Sequence, residues 1–261
     1  MLARSLCCFR GVSVSAERKL WRAGCLTWDY LPQAGRVLSP RKAADLTAQL
    51  PELRAALEGR VADYFLKRLP TGHRLRIWPD FADGVAFLDV ETTGLGSHDE
   101  LTLIGLWQAG RMLSFVRGRN LCEFLGIWRR IDVLITFNGT RFDLPMLART
   151  FDLTCLPPHI DLMHEARVYG YTGGLKSIER SLGIRRLANE EGDGEMAVRL
   201  WQSHADEGND SSLMRLLQYN ARDVRSLVAL SRKILRLSFD GYPGPLFAFP
   251  SCAAFPSCAF H

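Results

Sequence analysis

Four apolar runs of strand length lie between residues 85 and 137, and they set the class of fold open to this chain. They are Val85–Val90, Leu101–Trp107, Met112–Val116 and Val133–Phe137, each too short for a helix and rich in β-branched or aromatic residues. Ala109-Gly110 supplies a tight turn between the second and third runs. A helix is predicted over about 120–130, and a second from Leu144 to about Phe151. His159-Ile160-Asp161-Leu162 reads as a short fifth strand. Everything after it reads helical. The strongest segment is Ser211 to Leu237, with Leu213, Leu216, Leu217, Val224, Leu227, Val228 and Leu230 on helical spacing. Strands first, with helices interleaved and then dominant, predict an α/β layered domain.

The residues before this domain have a different character. Gly11 through Trp21, running to Gly24, and Thr27 to Leu31 read as short helical elements, and Ser39-Pro40 as an N-cap followed by a first helical residue. An amphipathic region runs from there to Arg68, interrupted at Pro51, and Leu69-Pro70-Thr71-Gly72-His73 breaks it. The predicted organisation is a helical arm over 1–73, an α/β domain over 74–240 and a disordered tail over 241–261. In the tail, Ala248-Phe-Pro-Ser-Cys-Ala253 recurs as Ala254-Phe-Pro-Ser-Cys-Ala259. Proline at that spacing prevents a regular helix or a central strand.

A net charge of +5 and a pI near 8.9 suit a nucleic-acid partner without requiring one. The basic residues are mostly Arg, with only five Lys, and Arg presents a bidentate fork to phosphate. The seven Cys form no C-x-x-C pair, which argues against a zinc knuckle and for reduced thiols. No apolar run approaches the ~20 residues that span a bilayer. A cytoplasmic protein with no membrane partner is expected.

Three segments carry residues with chemistry. In Phe87-Leu88-Asp89-Val90-Glu91-Thr92-Thr93-Gly94-Leu95, alternation along a strand puts Asp89 and Glu91 on one face, roughly 6.6 Å apart. Two carboxylates at the end of an apolar strand need a counter-charge. A divalent cation supplies one, and so does a salt bridge. In Phe137-Asn138-Gly139-Thr140-Arg141-Phe142-Asp143-Leu144-Pro145, a strand runs through a glycine turn into a helix. Asp143 there projects from the top of the sheet or caps the helix. In Tyr219-Asn220-Ala221-Arg222-Asp223, Tyr219 and Asp223 share a helix face, as residues of many ordinary helices do.

Together and in this order the segments resemble the three exonuclease motifs of the DEDD nucleases: Asp-x-Glu, Asn-x-x-x-Phe-Asp and Tyr-x-x-x-Asp. Position 218 is Gln rather than His, so Tyr219 fits the tyrosine subtype. Asn138-Gly139-x-x-Phe142-Asp143-x-Pro145 is similar to the second motif of YprB-type ribonuclease-H-like proteins. His159–Leu162, Gly173–Ile178 and Asp193–Val198 are similar to that group as well. The resemblance implies a ribonuclease-H-like mixed five-stranded sheet flanked by helices. It implies a 3′–5′ exonuclease in which Asp89, Glu91, Asp143 and Asp223 hold two Mg²⁺ or Mn²⁺ ions and Tyr219 orients the attacking water. Asn138 would be a positioner, and Thr92, Leu95 and Phe142 would contact the terminal nucleotide. Asp161 and Lys176 would be accessories, with a structural role as the competing reading for both. The implied partner is DNA or RNA with a single-stranded end, with any helicase or repair partner on a separate chain.

Gly11-Val12-Ser13 with Ala23-Gly24 resembles a helix-hairpin-helix segment, with Ser13 where the motif has its second glycine. A plain packing arm is the competing reading there. For the whole chain the competing reading is a non-catalytic nucleic-acid-binding or partner-recruiting module on the same fold.

Overall fold

The computed structural model describes residues 1–31, 37–94, 96, 98–184 and 194–245. They form two compact units. One is built from Met1–Ala82 and the described part of Lys233–Ser251, the other from Asp83–Arg232.

The first unit is helical: α1 (Val14–Arg22), α2 (Pro40–Thr47), α3 (Leu50–Glu58) and α4 (Ala62–Leu66), with short 3₁₀ turns. Pro51 opens α3, where its missing N–H costs nothing. Ser13 has φ −78° and accepts the Ala16 N–H as the N-cap of α1. Position 13 therefore needs no glycine, and the Ser there is a cap. Aromatic rings fill the core: Trp28 stacks on Phe65, Phe9 meets Trp28 edge-on, and Trp21 stacks on Phe239. Tyr242, within the stretch predicted as a tail, packs edge-on against Trp21. The rest of that stretch, from 246 onward, lies outside the described residues.

A fully buried ion pair sits in this core. Both Glu17 oxygens accept from Arg76 Nη1, at 2.9 and 2.8 Å. Glu17 Oε1 also accepts the Leu6 and Cys7 amides at 2.6 and 2.9 Å. The Arg76 guanidinium donates further to the Ser238 carbonyl and hydroxyl and lies 4.2 Å from the Phe239 ring centroid. Nearby, burial and then the Arg76 charge lower the His73 pKa to about 4. A folded-state pKa below the unfolded value gives stability that is complete above pH ~6.5 and lost as pH falls through 4. The stability of wild type relative to His73→Phe should therefore shrink over that window, by on the order of 5 °C in Tm. Parallel thermal melts from pH 7 to pH 4 measure this difference, and a constant gap would contradict it.

The second unit carries a five-stranded sheet: β1 (Val85–Thr92), β2 (Leu101–Gln108), β3 (Arg111–Val116), β4 (Val133–Thr136) and β5 (His159–Asp161), in the order β3-β2-β1-β4-β5. β1 pairs antiparallel with β2 and parallel with β4, so the sheet is mixed. Ala109 and Gly110 both take positive φ, 48° and 82°, as a two-residue hairpin turn demands. Among the described residues, helices α5 (Phe124–Trp128), α6 (Asp143–Phe151), α7 (Leu162–Arg167), α8 (Leu175–Ser181), α9 (Gly194–Glu207) and α10 (Asp210–Ser238) accompany the strands. One face of the sheet, with Leu88, Ile104, Phe115 and Leu134, packs on Phe124, Trp128, Leu144 and Leu147. A second cluster joins Leu103 and Val116 to Ala197, Leu200, Leu213, Leu216 and Leu217 of α9 and α10. No helix among the described residues is long and apolar enough to cross a membrane.

Candidate active site

The pairing of β1 positions the site. Its parallel ladder with β4 ends at Phe87↔Ile135, whereas its antiparallel ladder with β2 continues past Glu91. Residues 88–92 therefore have no partner on the β4 side. The Val90 N–H turns instead to Asp143, whose Oδ1 accepts it at 3.2 Å. This settles one choice left open by the sequence. Asp143 is the first residue of α6, but its side chain reaches to β1, and the N-cap Phe142 makes no side-chain cap.

The turn leading to Asp143 is held from below. Asp161, at the end of β5, accepts the Asn138 amide at 2.8 Å, the Thr140 amide at 3.3 Å and the Thr140 hydroxyl at 3.0 Å. It also caps α7 through Met163 N. Asn138 adopts φ +59°, a conformation Asn tolerates better than most residues. Next to it, a Cβ on Gly139 would overlap the Thr136 hydroxyl and lie 2.6 Å from Thr136 Cβ. Asp161 thus braces the turn. None of these hydrogen bonds reaches the other carboxylates, although the Asp161 charge contributes to raising the Asp143 pKa.

α10 supplies the remaining groups. Asp223 and Tyr219 face β1, and Asp223 raises the Tyr219 pKa through its charge and a hydrogen bond, after burial. Lys176 Nζ and the Arg222 guanidinium lie 5.7 and 5.1 Å from the Tyr219 ring centroid. Glu91, Asp143 and Asp223 are buried, with 8, 3 and 7% of their surface exposed. Desolvation, then the charges of Glu91, Asp143 and Asp223, push Asp89 well above the usual carboxylate range. Glu91 rises to about 8, chiefly by burial and then the Asp223 and Asp143 charges, against the lowering effect of an Asn220 hydrogen bond. Asp143 rises to about 7, again mainly by burial. Three segments far apart in sequence thus bring four carboxylates into one electrostatic cluster.

Such a set fits a divalent cation by its chemistry. All donors are hard oxygens, and the Arg222 pairing with Asp223 and the Lys176 charge do not offset the raised pKa values of Asp89, Glu91 and Asp143. Among the described residues, no three acidic, His or Cys side chains stand around a common point as placed. The fit lies in the donor set.

Beside the cluster opens a pocket of about 650 Å³, lined by Val90, Glu91, Thr92, Phe142, Val198 and Arg199 among others. Thr92 and Phe142 thus both line this pocket. Leu95 lies outside the described residues, as does Asp193. Asn138 does not line the pocket. The α9 wall, Glu195, Val198 and Arg199, was not singled out as binding residues from sequence. Its only sequence signal was the similarity over 193–198.

A family model for the RNase H superfamily matches residues 86–235. The chain belongs to the RNase H superfamily. The match begins in β1 and ends within α10, so it takes in all five strands and all four carboxylates. No curated protein matches the sequence. Among solved structures, the family B DNA polymerase from the hyperthermophilic archaeon Pyrobaculum calidifontis is 19% identical, with a TM-score of 0.47. The match covers 61% of this chain and only 26% of the polymerase. Brucella melitensis NrnC is 25% identical, with a TM-score of 0.40, over 64% of this chain and 79% of its own. The Aedes aegypti Nibbler EXO domain is 10% identical, with a TM-score of 0.38, over 65% of this chain and 86% of its own.

Proposed function

We propose that this RNase H superfamily member is a metal-dependent nuclease that removes nucleotides from the 3′ end of a nucleic-acid strand. The observation that carries the reading is the convergence of Asp89, Glu91, Asp143 and Asp223 on one buried cluster beside a nucleotide-sized pocket. These four residues would hold two Mg²⁺ or Mn²⁺ ions, which supply Lewis acidity and a nucleophilic water for phosphodiester hydrolysis.

The protein's own groups divide the remaining work. Burial and neighbouring carboxylates keep Tyr219 a neutral phenol. Its single O–H is engaged with Asp223, so the phenol oxygen is left to accept from and orient the water, and the carboxylates are the bases. Lys176, close to the Tyr219 ring, adds positive charge where a phosphate's negative charge must be met. Phe142, Val90 and Val198 offer an apolar wall on which a terminal base can pack. Arg199, two-thirds exposed and only loosely paired with Glu195 at 3.7 Å, is free to reach the backbone phosphate.

The test is a gel. The full chain is incubated with 5′-labelled single-stranded DNA and RNA in Mn²⁺, Mg²⁺ or EDTA, beside Asp89→Ala/Glu91→Ala. A metal-dependent ladder shortening from the 3′ end, absent in the folded variant, is the expected result. Cleavage of a circular substrate would replace the exonuclease by an endonuclease. Binding without cleavage in every metal would sink the catalytic reading in favour of a binding module.

A further inference from the structure

Asn220 stands in α10 between Tyr219 and Asp223, fully buried. Its Nδ2 lies 3.0 Å from Asp89 Oδ2, 3.2 Å from the Asp89 carbonyl and 3.3 Å from Glu91 Oε1. Two N–H groups thus serve three acceptors on β1, and one oxygen of each carboxylate is turned toward the amide. The other end of the same side chain is arranged differently. Asn220 Oδ1 is buried and has no hydrogen-bond partner. It rests over Gly105, the residue paired with Asp89 across the β1–β2 ladder. A Cβ on Gly105 would overlap Oδ1 and come within 2.8 Å of Asn220 Cγ. No other residue fits at 105 while Asn220 keeps this position, although β2 is a central strand in which glycine is otherwise disfavoured.

A buried acceptor without a partner is costly, and a central-strand glycine weakens its strand. Both features follow from delivering one amide group to Asp89 and Glu91. Leu would fill the space without donating, and Asp would add a fifth negative charge. We propose that Asn220, seated on Gly105, is a positioning residue for the cation site: it holds one oxygen of Asp89 and one of Glu91, so that the opposite oxygens face the incoming metal. This rests on the metal-dependent reading above. It adds a residue pair, 105 and 220, that the three motifs do not name as functional.

The experiment measures Mn²⁺ affinity by calorimetry on the full chain, with thermal melts to confirm folding. Asn220→Leu should weaken Mn²⁺ binding by roughly 10–100-fold, the usual effect of losing a group that orients a metal ligand. Gly105→Ala should weaken it comparably, because the added methyl displaces Asn220. The double variant should be no weaker than either single one. Nuclease activity of Asn220→Leu should return at saturating Mn²⁺, and melts in EDTA must show the metal-free variant already folded at the assay temperature, so that metal-induced refolding is not the cause. If Gly105→Ala does not fold, Gly105→Ala/Asn220→Ser relieves the overlap and should still bind weakly. Wild-type affinity in Asn220→Leu, or multiplicative losses in the double variant, would overturn the proposal and leave the nuclease reading intact. Wild type that binds Mn²⁺ in an Asn220-dependent way but cuts nothing would uphold the proposal and overturn the nuclease reading. Wild type that binds no Mn²⁺ would overturn both.

Discussion

Glu91→Gln should make the metal-free protein more stable while abolishing hydrolysis. Glu91 is buried beside Asp223 and Asp143, and its pKa rises from 4.5 to about 8. A raised folded-state pKa gives stability that is complete below pH ~4.5 and lost as pH climbs through 8, because the folded protein must then ionise a desolvated carboxylate. Gln keeps the Oε1 that Asn220 donates to and removes the ionisation. The advantage of Glu91→Gln over wild type should therefore grow with pH. At pH 8 in EDTA it should reach on the order of a few kcal/mol, or roughly 5–10 °C in Tm. Mn²⁺ should reverse the order, since ligand binding stabilises only a chain that binds it. Activity should fall by more than ~100-fold, as for loss of a principal electrostatic group. Paired melts from pH 5 to pH 8, with and without Mn²⁺, provide the check. A variant less stable than wild type in EDTA at pH 8 would show that the carboxylate cluster is not strained.

The second large effect concerns Glu17 and Arg76. Glu17→Ala should destabilise the protein by about 3–5 kcal/mol, because it leaves a desolvated guanidinium without its counter-ion. It also strips the Leu6 and Cys7 amides of their acceptor. For a chain of this size that is a fall of roughly 10 °C or more in Tm. Arg76→Lys should lose nearly as much. A point-charge ammonium cannot engage Glu17, the Ser238 carbonyl and the Ser238 hydroxyl in one plane, nor lie against Phe239. A simultaneous apolar replacement of both partners should cost far less than either single change. Denaturant melts of the two singles and the double measure the coupling. Additive losses would show that the pair is not one unit.

These two sites mark the limits of reading the sequence. Four of the five strands were legible as mainly apolar runs of strand length, the fifth as the short segment His159–Asp161, and the Ala109-Gly110 turn because its residue types match the conformation required. Asp89, Glu91, Asp143, Tyr219 and Asp223 stood out by spacing within each segment and by order along the chain. Single segments left alternatives open, and Asp143 as a helix cap was one of them. Only the contact with Val90, across 53 residues, removes it. Asn220 reads as ordinary helix decoration, and Gly105 as a weak point in a strand. Neither means anything until the chain places them together. Glu17 and Arg76 were hidden for a different reason. Charged residues on short amphipathic helices are normally solvated, and nothing local distinguishes a pair that is not. Asp161 sits in a recognised segment, but its work as a brace depends on backbone amides that have no sequence signature.

The order of the site along the chain also bears on how the protein is made. All five strands are complete by Asp161, whereas Tyr219, Asn220 and Asp223 arrive only with α10. A ribosome therefore releases every strand of the sheet before it releases the last carboxylate. The growing chain has its sheet partners but not the full set of carboxylates, which is assembled only when α10 docks on β1. On the proposed nuclease reading, the cation site would therefore stay incomplete until α10 has been made and has packed.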